Sequence, residues 1–305
     1  MTEPVPRIAV IANPRSGKGR GARIAEAAIA HLRERGAEVL AFAGDTAGDT
    51  RRLARDAIAT EPGALVVVGG DGTLSGIVDL LADAAVPLVL VPAGTGNDLA
   101  RALGIPVHAP DAAAEAALTG SARTIDLGEI ESDGRTTPFL TVAALGFDAR
   151  VSERTNRLRF PRGKARYYLA LLVELVRLRP TPFRIRVADE VESARPGTLV
   201  AVGNTSSYGG GMPVCAGADP ADGLLDVVHV APLGRLRLIR LFPLLLRGEH
   251  LRRAEVVHRR IDRVEIAAPD LVVYADGERV AAGACTIRVR PAALTLLVPE
   301  ERNSP

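Results

Sequence analysis

An α/β nucleotide domain followed by a β-sandwich with helical insertions is the fold class that three features of this 305-residue chain predict. Apolar strand runs alternate with helical patterns over about the first 125 residues. After Ser121 the texture changes to short strands, several of them separated by Gly, Pro or Asp. Two glycine-rich turns about 25 residues apart each end a buried-strand run. Gly69-Gly70-Asp71-Gly72-Thr73 follows Leu65-Val66-Val67-Val68, and Pro92-Ala93-Gly94-Thr95-Gly96-Asn97-Asp98 follows Leu88-Val89-Leu90-Val91. Alternating strands and helices mean a mostly parallel sheet covered on both faces. Such sheets bind ligands at the carboxyl ends of their strands. Bare backbone N–H groups there can approach phosphate oxygens closely. Two such loops at adjacent strand ends make one phosphate cradle, with Asp71 placed to hold Mg²⁺. The expectation is a nucleotide-using phosphotransferase.

The elements follow in order. Residues 8–12 read as a strand stopped by Asn13-Pro14, and 21–35 as a helix with Ile24, Ala28 and Leu32 on one stripe. Gly36 ends that helix as a C-terminal cap. A strand at 38–42, a helix at 47–60 with Asp49 or Thr50 near its start, and the strand at Leu65 come next. A helix from about 74 to 82, the strand at Leu88, and helices at 98–103 and 110–119, the last ended by Gly120, complete the first half. Strands are then expected at 123–130, 138–144, 184–187, 198–203 and 224–230, and at 263–267, 271–275, 284–289 and 293–298. Their spacing is that of an antiparallel sandwich. Helical insertions at 164–178 and 234–246 interrupt it. The domains are set at 1–125 and 126–305, with the last strand, about 293–298, returning toward the first domain.

Composition bounds the function. A net charge of +2 and the absence of Trp give no support for a nucleic-acid partner. Among 38 basic residues only Lys18 and Lys164 are lysine, a bias that a GC-rich genome also produces. Cys215 and Cys285 cannot build a disulfide framework, and no Cys/His spacing suggests zinc. The start has neither a basic nor an apolar leader region, so no signal peptide is expected, and no apolar run reaches spanning length. The five histidines show no ligand spacing, and Ser206 and Ser207 lie in no nucleophile elbow.

Several other segments can carry chemistry. Asn13-Pro14-Arg15-Ser16-Gly17-Lys18-Gly19 follows the first strand and can present N–H groups to phosphate. It is neither a Walker A loop nor a Rossmann fingerprint. Asp276-Gly277-Glu278 reads as a hairpin turn, or as two carboxylates sharing proton acceptance and metal binding for transfer to an alcohol. Asp219, Asp222 and Asp226 are either solvated turn acids or, as carboxylates three apart with a following Gly, a clamp for a hard cation completed by a backbone carbonyl. Arg154, Arg157, Arg159, Arg162, Lys164 and Arg166 form a basic run with no acid between them, read as a solvated face or a membrane-facing one.

Taken together, the Asn13-Pro14-x-Ser16-Gly17, Gly69-Gly70-Asp71-Gly72-Thr73, Gly94-Thr95-x-Asn97-Asp98 and Asp276-Gly277-Glu278 turns, in that order and at matching distances, resemble the soluble bacterial diacylglycerol kinase family, related to sphingosine and ceramide kinases. The resemblance spans nearly the whole chain. It implies a first domain similar to those of phosphofructokinases and NAD kinases, acting as the ATP-binding catalytic domain, and a lipid-side sandwich domain, with ATP at the cleft between them. It implies an ATP site lined by Asn13, Pro14, Arg15, Ser16, Gly17, Gly44, Gly70, Asp71, Gly72, Thr73, Leu74, Ser75, Gly76 and Thr95. Glu278 matches the family's proton acceptor, with Asp276 beside it; Asp71, read above as the holder of Mg²⁺, is counted with them as catalytic. Asp219, Asp222 and the carbonyl of Leu224 match a structural Mg²⁺ site, and Gly146-Phe147 a segment leading to the lipid-facing region. Ser75-Gly76 departs from the Asn-Glu common in the family, and Gly44 stands where a Thr is frequent.

The expected protein is an ATP- and Mg²⁺-dependent kinase of a lipid hydroxyl, diacylglycerol first, with phosphatidylglycerol or a sphingoid-type alcohol next. It is expected to be cytoplasmic and peripheral on the inner membrane face; a homodimer stays open. The rival expectations are an NAD kinase-like enzyme, for which no Gly-Ser-Thr-Ala-Tyr-type motif is found, and an inactive lipid- or nucleotide-binding regulator.

Overall fold

The computed structural model describes residues 5–44, 46–84, 86–158, 160–161, 164–187 and 193–300. The chain forms two compact units, one of residues 1–125 with 292–305 and one of residues 126–291.

The first unit is built on β1 (Arg7–Ala12), β2 (Glu38–Ala43), β3 (Ala64–Gly69) and β4 (Leu88–Pro92), in the order β2-β1-β3-β4 and all parallel. Every residue of β3 and β4 is buried, as expected for parallel strands covered on both faces. The helix Gly21–Glu34 buries Gly21, Ala25, Ala28 and Leu32, so its inner stripe runs through Ala25, with Ile24 only half-buried. The helix Ala47–Ile58 is capped by Thr46, one residue before it. Thr46 Oγ1 accepts the Asp49 N–H (3.1 Å) and the Thr46 N–H donates to Asp49 Oδ2 (3.2 Å), a reciprocal capping box.

The helix expected at 74–82 is two, Asp71–Ser75 and Val78–Asp83. Arg51 fills the break. Its guanidinium donates to the Gly76 carbonyl (2.8 Å) and grips both oxygens of Asp79 (2.7 Å each), holding that carboxyl below its usual range. A carbonyl released by the broken helix is thereby satisfied from a neighbouring one.

The second unit is a sandwich. One sheet has the antiparallel order β12-β11-β10-β7-β14-β15, from β7 (Val142–Gly146), β10 (Leu199–Gly203), β11 (Leu225–Val230), β12 (Val256–Ile261), β14 (Val272–Ala275) and β15 (Glu278–Ala282). The facing strands are β5 (Ser121–Ser132), β6 (Arg135–Phe139), β8 (Arg184–Val187), β9 (Ser193–Ala194), β13 (Arg263–Ala267) and β16 (Cys285–Val298). The expected strand 138–144 is two, β6 and β7, and the expected pair 284–289 and 293–298 is one, β16. Cys285 to Arg288 pair antiparallel with β13, while Leu296 lies parallel to Leu88 of β4.

Period-two alternation assigns the core. Ala143, Leu145, Val200, Val202, Leu225 and Val227 point between the sheets with Phe139, Phe183 and Ile287. Val142, Leu199, Ala201, Val228 and Val230 point the other way, where helices Phe147–Arg157, Lys164–Val176 and Arg235–Leu245 cover them with Phe147, Val151, Ala170 and Leu241. Phe147–Arg157 and β12 are absent from the sequence expectations. The helix is rich in charge, and β12 is an edge strand carrying His258, Arg259 and Arg260.

Phe139 is fully buried over Gly128, its cross-strand partner; a Cβ on Gly128 stands 2.0 Å from the ring. Phe139→Ala removes that contact and leaves a cavity, and should cost about 3–5 kcal/mol in urea denaturation of the second unit's signal. An unchanged midpoint contradicts the packing described.

Candidate active site

Three loops leave the carboxyl ends of the neighbouring strands β1, β3 and β4, and they meet backbone to backbone. A Cβ on Gly70 stands 2.7 Å from the Gly94 Cα, and one on Gly94 stands 2.6 Å from the Gly70 Cα. Gly17 has φ +58°, and a Cβ there stands 2.2 Å from the Ala93 carbonyl oxygen. No other residue type fits these approaches without moving the chain.

Side chains lock the junction. Thr73 Oγ1 is the hub, accepting from Asn13 Nδ2 (3.4 Å) and lying 3.4 Å from Ser16 Oγ. Asn97 adopts the left-handed conformation and closes the third loop, its Oδ1 accepting the Gly94 N–H (2.9 Å) and its Nδ2 donating to the Gly94 carbonyl (3.3 Å). Asp71 is half-buried as the first residue of its short helix, and its Oδ1 accepts the Leu99 N–H (3.3 Å). Gly70 is the N-cap, and Thr73 lies inside the helix. Asn97 is not among the residues that the resemblance places at the ATP site; its signal in the sequence is an Asn in a glycine-rich turn, where the left-handed region favours it.

The remaining candidates of this unit fall in different settings. Asn13 Oδ1 accepts the Arg15 N–H (3.0 Å), which turns the chain over Pro14. Gly72 and Thr95 are exposed, and space is open where a Cβ on Gly72 would stand. Leu74 is buried, so only its backbone can face a ligand; Ser75 is half-buried, and the Gly76 carbonyl is taken by Arg51. Gly44 is bare for a packing reason, because a Cβ there meets Asp49 Cβ at 2.6 Å and Leu53 Cδ1 at 2.7 Å.

In the second unit the Asp276 carboxylate is a tie. Its Oδ2 accepts the Leu140 N–H (2.8 Å), and its Oδ1 accepts the Thr141 N–H (2.9 Å) and hydroxyl (2.5 Å). Glu278, two residues on, is exposed at the start of β15. Asn156 Nδ2 donates to the Gly277 carbonyl (3.3 Å), so helix Phe147–Arg157 supports the same turn. Thr141 has no motif around it, and sequence reading passed it over.

A hydrogen-bonded chain runs from Asp276 to the acidic turn at 219–226. Asn204 Nδ2 donates to the carbonyls of Leu140 and Asp126 (2.9 Å each), the Asp126 N–H donates to the Pro220 carbonyl (2.6 Å), and Asp126 Oδ2 accepts the Gly223 N–H (2.7 Å). Asp219 Oδ1 accepts the Ala221 N–H (3.1 Å). Asp222 Oδ1 accepts the Leu224 N–H (2.9 Å) while its Oδ2 meets the Arg260 guanidinium. Each Asp222 oxygen thus has one partner and keeps further acceptor capacity. Asp226, the third acid of the turn, is buried rather than solvated, and its Oδ1 meets His258 Nε2. Among the described residues no group of three or more His, Cys, Asp or Glu side chains forms a metal cluster.

Asp148 follows the Gly146-Phe147 segment. Burial pushes its carboxyl up to about 6 against the opposing effects of the Tyr208 hydroxyl, which donates to Oδ2 (2.5 Å), and of nearby Arg150. Within the basic run, Arg154 pairs with Glu174 (2.5 Å), Arg157 with Glu153 (2.8 Å), and Arg166 donates to the Leu158 carbonyl (3.2 Å). Arg159, Arg162 and the Lys164 side chain lie outside the described residues, as does the Lys18 side chain.

Comparison with known proteins decides the family. Residues 7–130 match the diacylglycerol kinase catalytic domain, and residues 141–298 match the YegS C-terminal NAD kinase beta sandwich-like domain. The diacylglycerol kinase of Mycobacterium tuberculosis is 44% identical over 294 residues, 96% of this chain and 95% of its own. The chain belongs to the bacterial diacylglycerol kinase-like lipid kinase family. The fold agrees. A crystal structure of a diacylglycerol kinase from Bacillus anthracis superposes with a TM-score of 0.72 at 19% identity, covering 98% of this chain and 99% of that one. An NAD kinase from Archaeoglobus fulgidus, in complex with ATP, superposes at 0.55 and 18% identity, covering 97% and 95%.

This lipid kinase is thus an ATP-dependent phosphotransferase by family. At its three-loop junction the closest backbone approach carries no Cβ, and space is open where a Cβ on Gly72, next to Asp71, would stand. Among the described residues no helix is long and apolar enough to cross a membrane.

Titration of Asp148 gives a test of its environment. An unfolded aspartate ionises near pH ~4, whereas the folded group holds its proton until about pH 6. Its contribution to stability is therefore full below about pH 4 and lost as pH rises to about 6. Asp148→Asn should flatten that decline relative to the unsubstituted protein in melting temperatures taken across the window. Parallel profiles rule out the raised value.

Proposed function

We propose that the protein transfers the γ-phosphoryl group of ATP to the free hydroxyl of a membrane-presented diacylglycerol, giving phosphatidic acid. The observation that carries this reading is the backbone junction of Gly17, Gly70 and Gly94 with Asp71 anchored at its edge. The 44%-identical relative is a diacylglycerol kinase, which favours that acceptor.

Phosphoryl transfer is mainly positioning and charge stabilisation, with little covalent work for the protein. In the proposed reaction, backbone N–H groups of the loops after β1, β3 and β4 hold the phosphate oxygens. Asp71 would hold Mg²⁺, which when bound neutralises charge on the phosphates. Glu278 accepts the proton from the lipid hydroxyl as its oxygen bonds to the γ-phosphorus, the bond from that phosphorus to the β–γ bridging oxygen breaks, and ADP leaves. Asp276, whose oxygens are committed to Leu140 and Thr141, positions the turn that presents Glu278. The first unit thus acts as the ATP-binding part and the second as the lipid-side part. Docking is peripheral, on the cytosolic face.

Labelled ATP offered with diacylglycerol, phosphatidylglycerol, a sphingoid alcohol and NAD should label diacylglycerol fastest; labelling of NAD alone, or none, rejects the proposal. Glu278→Gln should lower kcat about 10²–10⁴-fold with ATP affinity nearly unchanged. Asp71→Asn should lower turnover by orders of magnitude in a folded protein. If Asp276→Asn abolishes turnover while Glu278→Gln barely acts, the two carboxylates have been given the wrong roles.

The acidic turn can be tested apart from catalysis. If Mg²⁺ binds at Asp219, Asp222 and the Leu224 carbonyl, it should raise the melting temperature. Asp219→Ala with Asp222→Ala should remove that increment. Equal responses of the two proteins refute a structural cation there.

A further inference from the structure

The second unit contains a cavity of about 680 Å³ that the reaction above does not use. Six arginines line it: Arg150, Arg154, Arg157, Arg177, Arg179 and Arg235. Only two acids, Glu153 and Glu174, oppose them among the lining residues. Arg150, Glu153, Arg154 and Arg157 recur at helical spacing, so one face of helix Phe147–Arg157 supplies them. Both acids are already engaged. Buried Glu174 meets Arg154 at 2.5 Å and Arg150 at 3.9 Å, and Glu153 meets Arg157 at 2.8 Å and Arg279 at 3.7 Å.

Arg177 and Arg179 follow helix Lys164–Val176 as exposed residues. The end of that helix would present its negative pole here. Arg235 offsets it by donating to the carbonyls of Leu175 (3.2 Å) and Val176 (2.7 Å). What remains is an excess of guanidinium charge around a space that can hold a small anionic group. Planar guanidiniums match phosphate oxygens in bidentate fashion.

The surroundings say where that anion comes from. Leu172 and Val176, one turn apart, are 57% and 61% exposed, and Leu236 and Ile239 on helix Arg235–Leu245 are 73% and 52% exposed. The bond from Arg235 to Val176 joins the two helix ends, and both of those residues line the cavity. Exposed aliphatic side chains beside clustered arginines suit the boundary between headgroups and acyl chains.

We propose that this cavity binds the phosphate of an anionic phospholipid headgroup within a bilayer, while Leu172, Val176, Leu236 and Ile239 enter the acyl boundary beside it. The arginine-bearing helix also holds the candidate acceptor turn through Asn156 and the Gly277 carbonyl, and through Glu153 and Arg279. Headgroup capture therefore steadies the segment that carries Glu278. The binding itself does not depend on the proposed reaction.

Sedimentation of the full chain, without ATP, with vesicles of phosphatidylcholine alone or of three parts phosphatidylcholine to one part phosphatidylglycerol tests this. The protein should bind the mixed vesicles and release as salt rises. Arg177→Glu with Arg179→Glu should weaken that binding about tenfold or more, since each charge near an anionic surface contributes measurably. Arg23→Glu with Arg55→Glu, exposed arginines of the first unit, makes the same change in charge and should alter binding far less. Leu172→Ser with Leu236→Ser should weaken binding with no change in charge. Equal losses in the two arginine pairs, equal binding to neutral vesicles, or full displacement by millimolar inorganic phosphate each overturn the proposal. If charge reversal lowers the melting temperature, Arg177→Gln with Arg179→Gln replaces it under the same comparison. Vesicle binding that persists in a protein unable to phosphorylate soluble short-chain diacylglycerol supports this site and rejects only the reaction.

Discussion

Contact between bare backbones at the ends of β1, β3 and β4 is the constraint on which the first unit is organised. Neighbouring parallel strands lie about 4.8 Å apart, so loops leaving three adjacent strands compete for the same space. Gly70 against Gly94, and Gly17 against the Ala93 carbonyl, resolve that competition by removing every Cβ from the contact. The consequence is chemical as well as steric. The surface there is main chain where side chains would otherwise stand, and Thr73, Asn97 and the Asp71–Leu99 bond tie its loops together.

The second unit solves a different problem. Its six-stranded sheet is apolar on both faces, so it needs a cover on each. The other sheet of the sandwich supplies one, and three helices supply the other. The helical layer has a cost in polarity: Phe147–Arg157 buries Phe147, Ala149 and Val151 and leaves Arg150 and Arg154 half-buried, paired with the buried Glu174. The same helix reaches the Asp276–Glu278 turn, so packing of the sheet face, support of the turn and the arginine cavity share one element. Asp276 shows how a residue in a chemistry-bearing motif acts mechanically. Three donors from Leu140 and Thr141 fix its carboxylate, and the exposed position passes to Glu278.

The order of elements and the fold class were legible because they rest on local pattern. Unbroken apolar runs marked β3 and β4, and Gly120 marked the end of the helix Pro110–Thr119. Errors fall where a distant residue overrides local preference. The helix near Gly76 breaks because Arg51 can satisfy the freed carbonyl, and nothing in the sequence around Gly76 announces that arginine. The helix Phe147–Arg157 is too charged to read as an apolar stripe, and β12 becomes a strand by pairing with β11. At Asp222 the spacing of the acids stands as a proposed cation site, and the structure adds the Arg260 guanidinium, which meets Oδ2 from an edge strand that the pattern did not reveal.

By itself the sequence determined which loops are glycine-rich, which strands they follow, and the family to which those turns belong, because these depend on residue type and spacing. Tertiary structure alone decided that Gly70 touches Gly94, that Thr73 joins Asn13 and Ser16, that Asp276 is bound to Thr141, and that six arginines surround one cavity. Each of those facts pairs residues far apart in the chain. Such pairings are set by strand order and by which face of a helix packs inward, and no local run of residues encodes them.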